Sequence, residues 1–368
     1  MSNSLDRLTI KGFKSIKELV DFQLTNLNVV IGGNGSGKSN LISFFRMLRA
    51  LMENNLNRYV RDNGGAGDIL FNGRKVTSKM EFETMFGPRG YKFNLVPTPS
   101  NDCAIEDEAR FYKHGTTGWW QLGDNSEGKA KLVEEIEKKK SDAEYSRLVY
   151  DAIKSWQIYH FHDTSSTAAM RNYESVEDNR YLRPDAANIA PFLLKLKDSQ
   201  EKVYDGILDA VRLATPFFDD FILEPRKSGN KTEVNLSWTQ KGSDYPMQPY
   251  HLSDGSIRFI CLATALLQPY PPACIIIDEP ELGLHPAAIA VLAELIQVAA
   301  KETQVIIATQ SPLLVDHFSI EDIIVVNREQ GASIFSRLDK NQFDTWLEDY
   351  SIGELWTKNV IAGGPSYE

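Results

Sequence analysis

The chain has 368 residues, of which 42% are hydrophobic and 24% charged, and its formal net charge is −10. This composition argues against a disordered chain, and the absence of long apolar runs or a signal-peptide pattern predicts a cytoplasmic protein without membrane spans. The acidic balance disfavours a surface that coats nucleic acid uniformly, although a local basic cluster would still suffice to bind DNA.

The first elements predicted along the chain are strands, a glycine-rich loop and a helix. Residues 8–10 have strand character, and residues 27–31 form a nearly continuous apolar run, as expected for a buried parallel strand. The glycine-rich loop at 32–37 follows, and apolar residues at helical spacing come after it. Residues 64–125 contain short strand-like runs bounded by Gly and Pro, which predict an antiparallel sheet.

The rest of the chain suggests an insertion followed by a second half of the same domain. Residues 126–214 have mainly helical patterns, and we predict that they form an accessory insertion, largely helical. After residue 250, helices and strands alternate, which predicts a parallel sheet. We therefore expect an α/β fold in which 1–60 and 215–368 form one head domain with a mixed sheet, including part of 64–125 as its antiparallel sheet.

The glycine-rich loop fits the pattern GxxxxGK[ST] of phosphate-binding loops. Its glycines allow consecutive backbone N–H groups to turn towards a phosphate, and the start of the following helix adds partial positive charge. Lys38 can reach the β- and γ-phosphates of ATP, and the Ser39 hydroxyl can bind Mg²⁺. The residues predicted to bind the nucleotide here are Gly32, Asn34, Gly35, Ser36, Gly37, Lys38, Ser39 and Asn40.

A second motif narrows the class of nucleotide-binding protein. The apolar run 274–277 ends in Asp278 and Glu279. Adjacent residues at the end of an extended strand point to opposite sides, so the two carboxylates can serve different oxygens. We predict that Asp278 holds Mg²⁺ and that Glu279 is a catalytic residue that polarises the attacking water.

A third motif, at 252–256, precedes this acidic strand by one helix. Ser253 is a good helix N-cap, and Gly255 lets the backbone approach an anion. Taken together, the motifs resemble the ABC-type heads of the SMC, RecF and OLD group, and within it small stand-alone bacterial AAA-family ATPases. The segments that carry this resemblance are 12–15, 32–40, 252–256, 275–286, 308–312 and 353–356.

The resemblance implies an ABC-type P-loop head that works as an ATP sandwich of two copies, paired head to tail. Ser253 and Gly255 of one copy would face the nucleotide at Lys38 of the other, and dimer closure would gate hydrolysis. Transporters of this type usually carry a His after the next strand. Here Gln310 stands in that place, so we expect it to orient water or phosphate without taking up a proton. Gln157 is a candidate for the glutamine that links the two lobes.

The resemblance also implies a cellular role. Proteins of this appearance often act in anti-phage defence or DNA maintenance with a separate effector such as a nuclease, and we expect an ATPase that senses or controls such a partner. Two alternatives stay open. One is a RecF-type repair ATPase that clamps DNA across a closed dimer, and the other is an ATP-bound scaffold with little turnover. Each is compatible with a dimer or a higher oligomer.

Three histidines are further candidates for site residues. His160 and His162 alternate along a predicted strand beside Asp163, so the three residues could bind a metal ion. The lack of a further ligand at useful spacing favours a structural role for them. His285 precedes Pro286, and we interpret it as a residue that caps a helix or lies at the dimer seam.

Overall fold

A computed structural model of the chain describes residues 4–112, 118–139 and 143–361. In chain order, the strands are β1 (Arg7–Phe13), β2 (Ile16–Gln23), β3 (Leu27–Ile31), β4 (Met80–Phe86), β5 (Arg89–Pro97), β6 (Cys103–Tyr112), β7 (Gly118–Asn125), β8 (Gln157–Tyr159), β9 (Glu174–Ser175), β10 (Phe218–Ile222), β11 (Arg226–Ser228), β12 (Lys231–Val234), β13 (Ser237–Gln240), β14 (Cys274–Asp278), β15 (Gln304–Thr309), β16 (Ile323–Glu329) and β17 (Ala332–Arg337).

The α-helices surround these strands, and several of them are a single turn. They are α1 (Lys38–Met52), α2 (Leu56–Asp62), α3 (Ala66–Ile69), α4 (Lys131–Glu137), α5 (Ala143–Ser155), α6 (Ile189–Ser199), α7 (Glu201–Ala214), α8 (Asp254–Leu267), α9 (Pro286–Glu302), α10 (Pro312–Val315), α11 (Asp344–Leu347) and α12 (Ile352–Thr357). Within the described residues, none of these helices combines the length and apolar character needed to cross a membrane.

The central sheet has the strand order β17-β16-β3-β15-β14-β8. Strands β16, β3, β15, β14 and β8 run parallel, and β17 adds an antiparallel strand at one edge. All five residues of β3 are buried, because a strand in the middle of a sheet that is covered on both faces meets no solvent. The parallel sheet predicted from the alternating strands and helices is therefore confirmed, as is the α/β fold class.

The central sheet separates two hydrophobic cores. Successive side chains of a strand point to opposite faces, so alternate residues enter different cores. On one face, Val29, Ile277 and Ile307 pack with residues of helices α6 to α9. On the other face, Val30 and Ile276 pack with α1, α5 and the antiparallel sheet. Burial on both faces holds the strands of the central sheet in a single register.

The antiparallel sheet has the order β2-β1-β4-β5-β6-β7. It confirms the antiparallel structure predicted within 64–125, and it also takes in the first two strands of the chain, β1 and β2. Two small sheets, β10-β13 and β11-β12-β9, lie in the second half of the chain. The strand-like sequence of residues 233–238 predicts a single strand, and this prediction is wrong, because β12 ends at Val234 and β13 begins at Ser237.

The range 126–214 contributes to both cores. Its strand β8 pairs in parallel with β14 in the central sheet, with Tyr159 opposite Ile277. Helices α4 and α5 pack into the core that contains α1, whereas α6 and α7 pack into the opposite core. The helices expected in this range are present, and the boundaries of an accessory insertion stay a prediction.

A buried carboxylate connects the antiparallel sheet to the start of α4. Glu108 on β6 is fully buried and accepts hydrogen bonds from the backbone N–H groups of Lys131 (2.7 Å) and Leu132 (2.9 Å). The Tyr91 hydroxyl donates a third hydrogen bond (2.9 Å). Burial raises the pKa of the Glu108 carboxyl to about 7, although these donors oppose the rise. The stability of the fold is therefore linked to the protonation of this group.

We predict that the wild-type chain loses stability relative to a Glu108→Gln variant as pH rises from 4.5 to about 7. In this window Glu108 is ionised in the unfolded chain but still protonated in the folded one, so raising the pH favours unfolding. The full change is on the order of 3 kcal/mol. Urea unfolding at pH 5 and pH 8 measures it, with the exposed neighbour Glu106→Gln as the matched control. A wild-type-to-variant difference that stays constant with pH would contradict the linkage.

Candidate nucleotide-binding site

The register of the central sheet brings the three motif-bearing strands to one edge. Ile31 of β3 lies opposite Thr309 of β15, and Asp278 of β14 lies opposite Ala308. The carboxyl ends of parallel strands meet at the same edge, which is where ligands bind in open α/β sheets. The glycine-rich loop after β3, the acidic end of β14 and Gln310 after β15 are therefore neighbours.

The loop between β3 and α1 requires glycine and leaves a polar atom unsatisfied. Gly37 has a φ of 116°, and a Cβ at this position would lie 2.0 Å from the Ser333 Oγ. A Cβ on Gly32 would lie 2.4 Å from the Val326 carbonyl oxygen. The Ser36 hydroxyl is buried without a hydrogen-bond partner among the described residues. Such a group is costly, and a phosphate oxygen bound in the loop would satisfy it.

Lys38 is the first residue of α1 and is only 6% exposed. Its Nζ donates hydrogen bonds of 2.6 and 3.1 Å to two backbone carbonyl oxygens of the loop. Burial lowers the pKa of Lys38, and the negative charges of Glu279, Asp278 and Glu281 oppose this shift. The ammonium group therefore lies within the field of the acidic strand end and above the loop, in a position to bind a phosphate.

Asp278 and Glu279 occupy different backbone conformations. Asp278 is the last residue of β14, and burial raises the pKa of its carboxyl, with the charge of Glu279 adding to the rise. Glu279 has a left-handed φ of 46°, so the expectation that both acids lie on an extended strand end is wrong for this residue. Non-glycine residues in this region are uncommon and cluster at functional sites.

The Glu279 side chain is held by the predicted site residue Gln310. The Gln310 Nε2 donates a hydrogen bond to the Glu279 carboxylate, and the Glu279 N–H donates to the Ala308 carbonyl oxygen at 2.8 Å. The backbone and the side chain of Glu279 are thus both fixed by the end of β15. An amide can donate to a carboxylate but cannot take up its proton, which leaves Glu279 free to act as a base.

Glu281 ties the loop after β14 to the end of β15, a role that sequence analysis did not predict. Its Oε1 accepts hydrogen bonds from the Thr309 hydroxyl (2.6 Å) and the Gln310 N–H (3.2 Å). Burial raises the pKa of the Glu281 carboxyl. Its Oε2 is buried without a hydrogen-bond partner in the part of the chain that the structure describes.

Ser333, a residue that sequence analysis missed, supports the glycine-rich loop from β17. The buried Ser333 Oγ donates to the Ser36 carbonyl oxygen (2.5 Å) and lies 2.6 Å from the Ser15 Oγ. The Ser15 Oγ in turn accepts a hydrogen bond from the Asn40 side chain (2.6 Å). Ser15 belongs to the segment 12–15, which carries part of the family resemblance. Ser333 lies on β17, a strand that the sequence did not predict, so nothing in the sequence indicates its role.

Ser253 and Gly255 lie at the start of α8, where Ser253 is the N-cap residue. The Ser253 Oγ accepts a hydrogen bond from the Ser256 N–H (3.1 Å), as expected for an N-cap. A Cβ at Gly255 would lie 2.3 Å from the Gly283 carbonyl oxygen, so this loop packs tightly against the chain after the acidic motif. Among the described residues, no hydrogen bond joins Ser253 or Gly255 to residues 32–40.

The remaining predicted residues are accessible to a ligand. Asn34, Gly35 and Ser39 are exposed. Mg²⁺ prefers oxygen ligands, and a hydroxyl at the start of α1 together with the Asp278 carboxylate provides them. The unsatisfied Ser36 hydroxyl, the buried lysine ammonium and these oxygens form a donor set that fits Mg²⁺ and a nucleotide phosphate.

The segment after β8 reaches the same edge of the sheet. His160 and His162 follow β8 instead of lying on a strand, which corrects that expectation, and their ring centroids are 4.2 Å apart. The His160 Nδ1 lies 3.4 Å from a guanidinium nitrogen of Arg46 on α1. No group of three His, Cys, Asp or Glu residues able to hold a metal ion occurs in the described ranges. Gln157 lies at the start of β8, where it accepts a hydrogen bond from Arg49 (3.3 Å).

His285 caps a helix, which is one of the two roles predicted for it from the sequence. Its Nδ1 accepts a hydrogen bond from the Ala287 N–H (3.2 Å), and Pro286 begins α9. The side chain of His285 is therefore engaged at the start of α9.

We predict that Ser333→Ala weakens the binding of a fluorescent ATP analogue by roughly tenfold, because the lost hydrogen bonds to the glycine-rich loop cost about 1–2 kcal/mol. Titration of the analogue against the variant measures the change. Ser336→Ala, which alters an exposed serine on the same strand, serves as the control. Equal affinities for the two variants would show that β17 does not shape the loop.

Comparisons with known proteins agree with this geometry. A family model described as an AAA domain, putative AbiEii toxin of a type IV toxin–antitoxin system, matches residues 27–316. No curated protein matches the chain by sequence. Among solved structures, the chain is similar to an SMC head bound to the C-terminal winged-helix domain of ScpA, with a TM-score of 0.58 and 18% identity over 92% of this chain and 99% of that one.

A second solved structure is similar in the same way. It is an SMC head with an extended coiled coil, bound to the C-terminal domain of ScpA derived from Pyrococcus furiosus. Its TM-score is 0.54 at 16% identity, over 94% of this chain and 99% of that one. The chain therefore belongs to this AAA-domain family and has the fold of an ABC-type, SMC-like P-loop ATPase head.

Proposed function

We propose that the chain is a Mg²⁺-dependent ATPase that works as a head-to-tail dimer and controls a separate effector protein. The observation that carries this proposal is the contact between Glu279 and Gln310, at the sheet edge that also carries Lys38 and Asp278. The Glu279 carboxylate is held by the Gln310 amide beside a phosphate-binding loop. A carboxylate in such a position can polarise a water molecule that attacks the phosphate. Family membership and the SMC-like fold support ATP as the ligand.

In the proposed reaction, the side chains and backbone N–H groups of the protein position the reactants and stabilise their charges. Bound Mg²⁺-ATP supplies the phosphoanhydride bond that is cleaved. The loop N–H groups and Lys38 would hold the phosphates, and Ser39 and Asp278 would hold the metal ion. Glu279 would orient a water molecule and accept its proton, while Gln310 keeps the Glu279 carboxylate in place.

The position of Ser253 and Gly255 supports a dimer. They lie at the N-terminus of α8, a helix of 14 residues, where the helix dipole favours an anion. Within the described residues, no hydrogen bond links them to the glycine-rich loop of the same copy. In the proposed dimer, a second copy would supply the phosphate that they face. Hydrolysis would then require closure of the dimer, and larger oligomers could form from such dimers.

The family description supports the proposal that the chain acts together with a partner protein. The matched family is described as a putative toxin of a toxin–antitoxin system, and both SMC heads are bound to domains of ScpA. We place the chain in an anti-phage defence or DNA-maintenance module in which its nucleotide state controls an effector such as a nuclease. A RecF-type DNA clamp is the second candidate, and its mark would be DNA binding with a steep salt dependence only when ATP is present.

We predict that Glu279→Gln binds ATP but hydrolyses it roughly 100-fold more slowly than the wild type and accumulates as a dimer. Lys38→Ala should neither bind ATP nor dimerise, because the phosphates lose their cation. Phosphate release and molecular mass, measured on the same samples, test both statements, with the exposed Glu294→Gln as the control.

Two results would contradict the catalytic assignment. If Glu279→Gln retains the wild-type rate of hydrolysis, Glu279 is not the water-polarising group. If the wild type binds ATP in a fixed assembly and shows no turnover that Glu279→Gln removes, the chain is an ATP-bound scaffold.

A further inference from the structure

Arg171 is a buried arginine that binds the loop immediately before α8. One of its Nη atoms donates to the carbonyl oxygens of Pro249 (2.5 Å) and Leu252 (3.1 Å). The other Nη pairs with the Asp254 carboxylate at 3.0 Å. Its Nε donates to the Thr164 carbonyl oxygen at 3.0 Å. Three of these four hydrogen bonds therefore hold residues within 249–254.

The contacts of Arg171 connect the interior of the protein to its surface. A buried guanidinium loses its hydration and is stable only when fixed acceptors replace the water, as these carbonyl oxygens and this carboxylate do. The Arg171 side chain is 5% exposed, whereas that of Asp254 is 69% exposed. The planar guanidinium matches several acceptors at once, so it fixes the direction of the loop as well as its distance.

Arg171 ends a segment, 160–171, that begins beside the nucleotide site of the same copy. At its start, His160 lies 3.4 Å from Arg46 on the P-loop helix α1. Arg258 of α8 donates hydrogen bonds of 2.8 and 3.3 Å to two carbonyl oxygens of the segment, and another to the Leu282 carbonyl oxygen. The segment therefore contacts α1 at one end and holds the start of α8 at the other.

We propose that Arg171 is a positioning residue that sets the loop 249–254 and thereby presents Ser253 and Gly255 to the nucleotide of a second copy. This inference rests on the proposed function, because the loop has a phosphate to bind only if two copies share ATP. Among the described residues, Arg171 makes no hydrogen bond with the P-loop, Asp278 or Glu279 of its own copy. Its loss should impair the step that needs two copies and leave ATP binding by one copy unchanged.

The test compares Arg171→Met and Asp254→Asn with Arg212→Met. Arg212 is a matched control, because it also donates to a backbone carbonyl oxygen (Asp219, 2.7 Å) but lies on α7. Asp254→Asn alters an exposed side chain, so it breaks the same ion pair without threatening the core. Each substitution is made in the full chain, alone for kinetics and together with Glu279→Gln for measurements of ATP-dependent dimer formation.

We expect Arg171→Met to lower kcat by roughly tenfold or more, and to raise by a similar factor the protein concentration needed for ATP-dependent dimerisation. The affinity of a fluorescent ATP analogue, measured at protein concentrations too low for dimers, should change less than about twofold. Asp254→Asn should change kcat and dimerisation in the same direction by a smaller factor, and Arg212→Met should match the wild type.

The outcomes separate this inference from the proposed function. If the Glu279→Gln chain shows no ATP-dependent dimer, both proposals are wrong. If that dimer forms and the Arg171 and Asp254 variants form it like the control, this inference alone is wrong. It is also wrong if Arg171→Met weakens single-copy ATP binding as much as turnover. Should Arg171→Met fail to fold, Asp254→Asn decides by the same criteria.

Discussion

The parallel register of β3, β14 and β15 is the constraint on which the candidate site depends. Ile31, Thr309 and Ala308 place the glycine-rich loop, Gln310 and the acidic end of β14 side by side. A slip of one residue would turn every side chain to the opposite face of the sheet. The two cores that alternate across these strands make such a slip costly, so burial far from the site fixes the geometry at its edge.

Two separate networks of polar contacts then position the loops at this edge. The glycine-rich loop is held by Ser333 and Ser15, which lie on β17 and in the turn after β1. The start of α8 is held by Arg171, with Arg258 binding the segment that leads to it. Buried networks with satisfied partners are rigid. In the proposed dimer, one network would shape a copy's own nucleotide site and the other would shape the surface offered to its partner.

The elements that were predicted correctly are those with local sequence patterns. The apolar run before the glycine-rich loop and the run before Asp278 carry their own strand signals, and so do the helices and strands after residue 250. Ser253 was recognisable as an N-cap because capping depends on residues three positions apart. These local signals were enough to place most of the candidate site.

The features that were missed depend on contacts between distant parts of the chain. Ser333 contacts Ser15, which is 318 residues away in the sequence, and no local pattern predicts such a pair. The alternation of His160 and His162 suggests a strand, but β8 ends at Tyr159, the last residue that pairs with β14. The left-handed backbone of Glu279 is likewise stabilised from outside, by its hydrogen bond to β15.

The proposed function requires two copies that meet head to tail across ATP, and cysteine crosslinking tests this arrangement directly. The three native cysteines are buried, and Arg328 contacts the glycine-rich loop, so exposed thiols can be placed at the neighbouring Glu329→Cys and, in a separate chain, at His251→Cys. With Glu279→Gln in both chains, a short bifunctional maleimide should crosslink a mixture of the two, only with Mg²⁺-ATP, and should crosslink neither chain alone. Crosslinks of Glu329→Cys to itself, or crosslinks of the mixture that form equally without ATP, would contradict the head-to-tail arrangement.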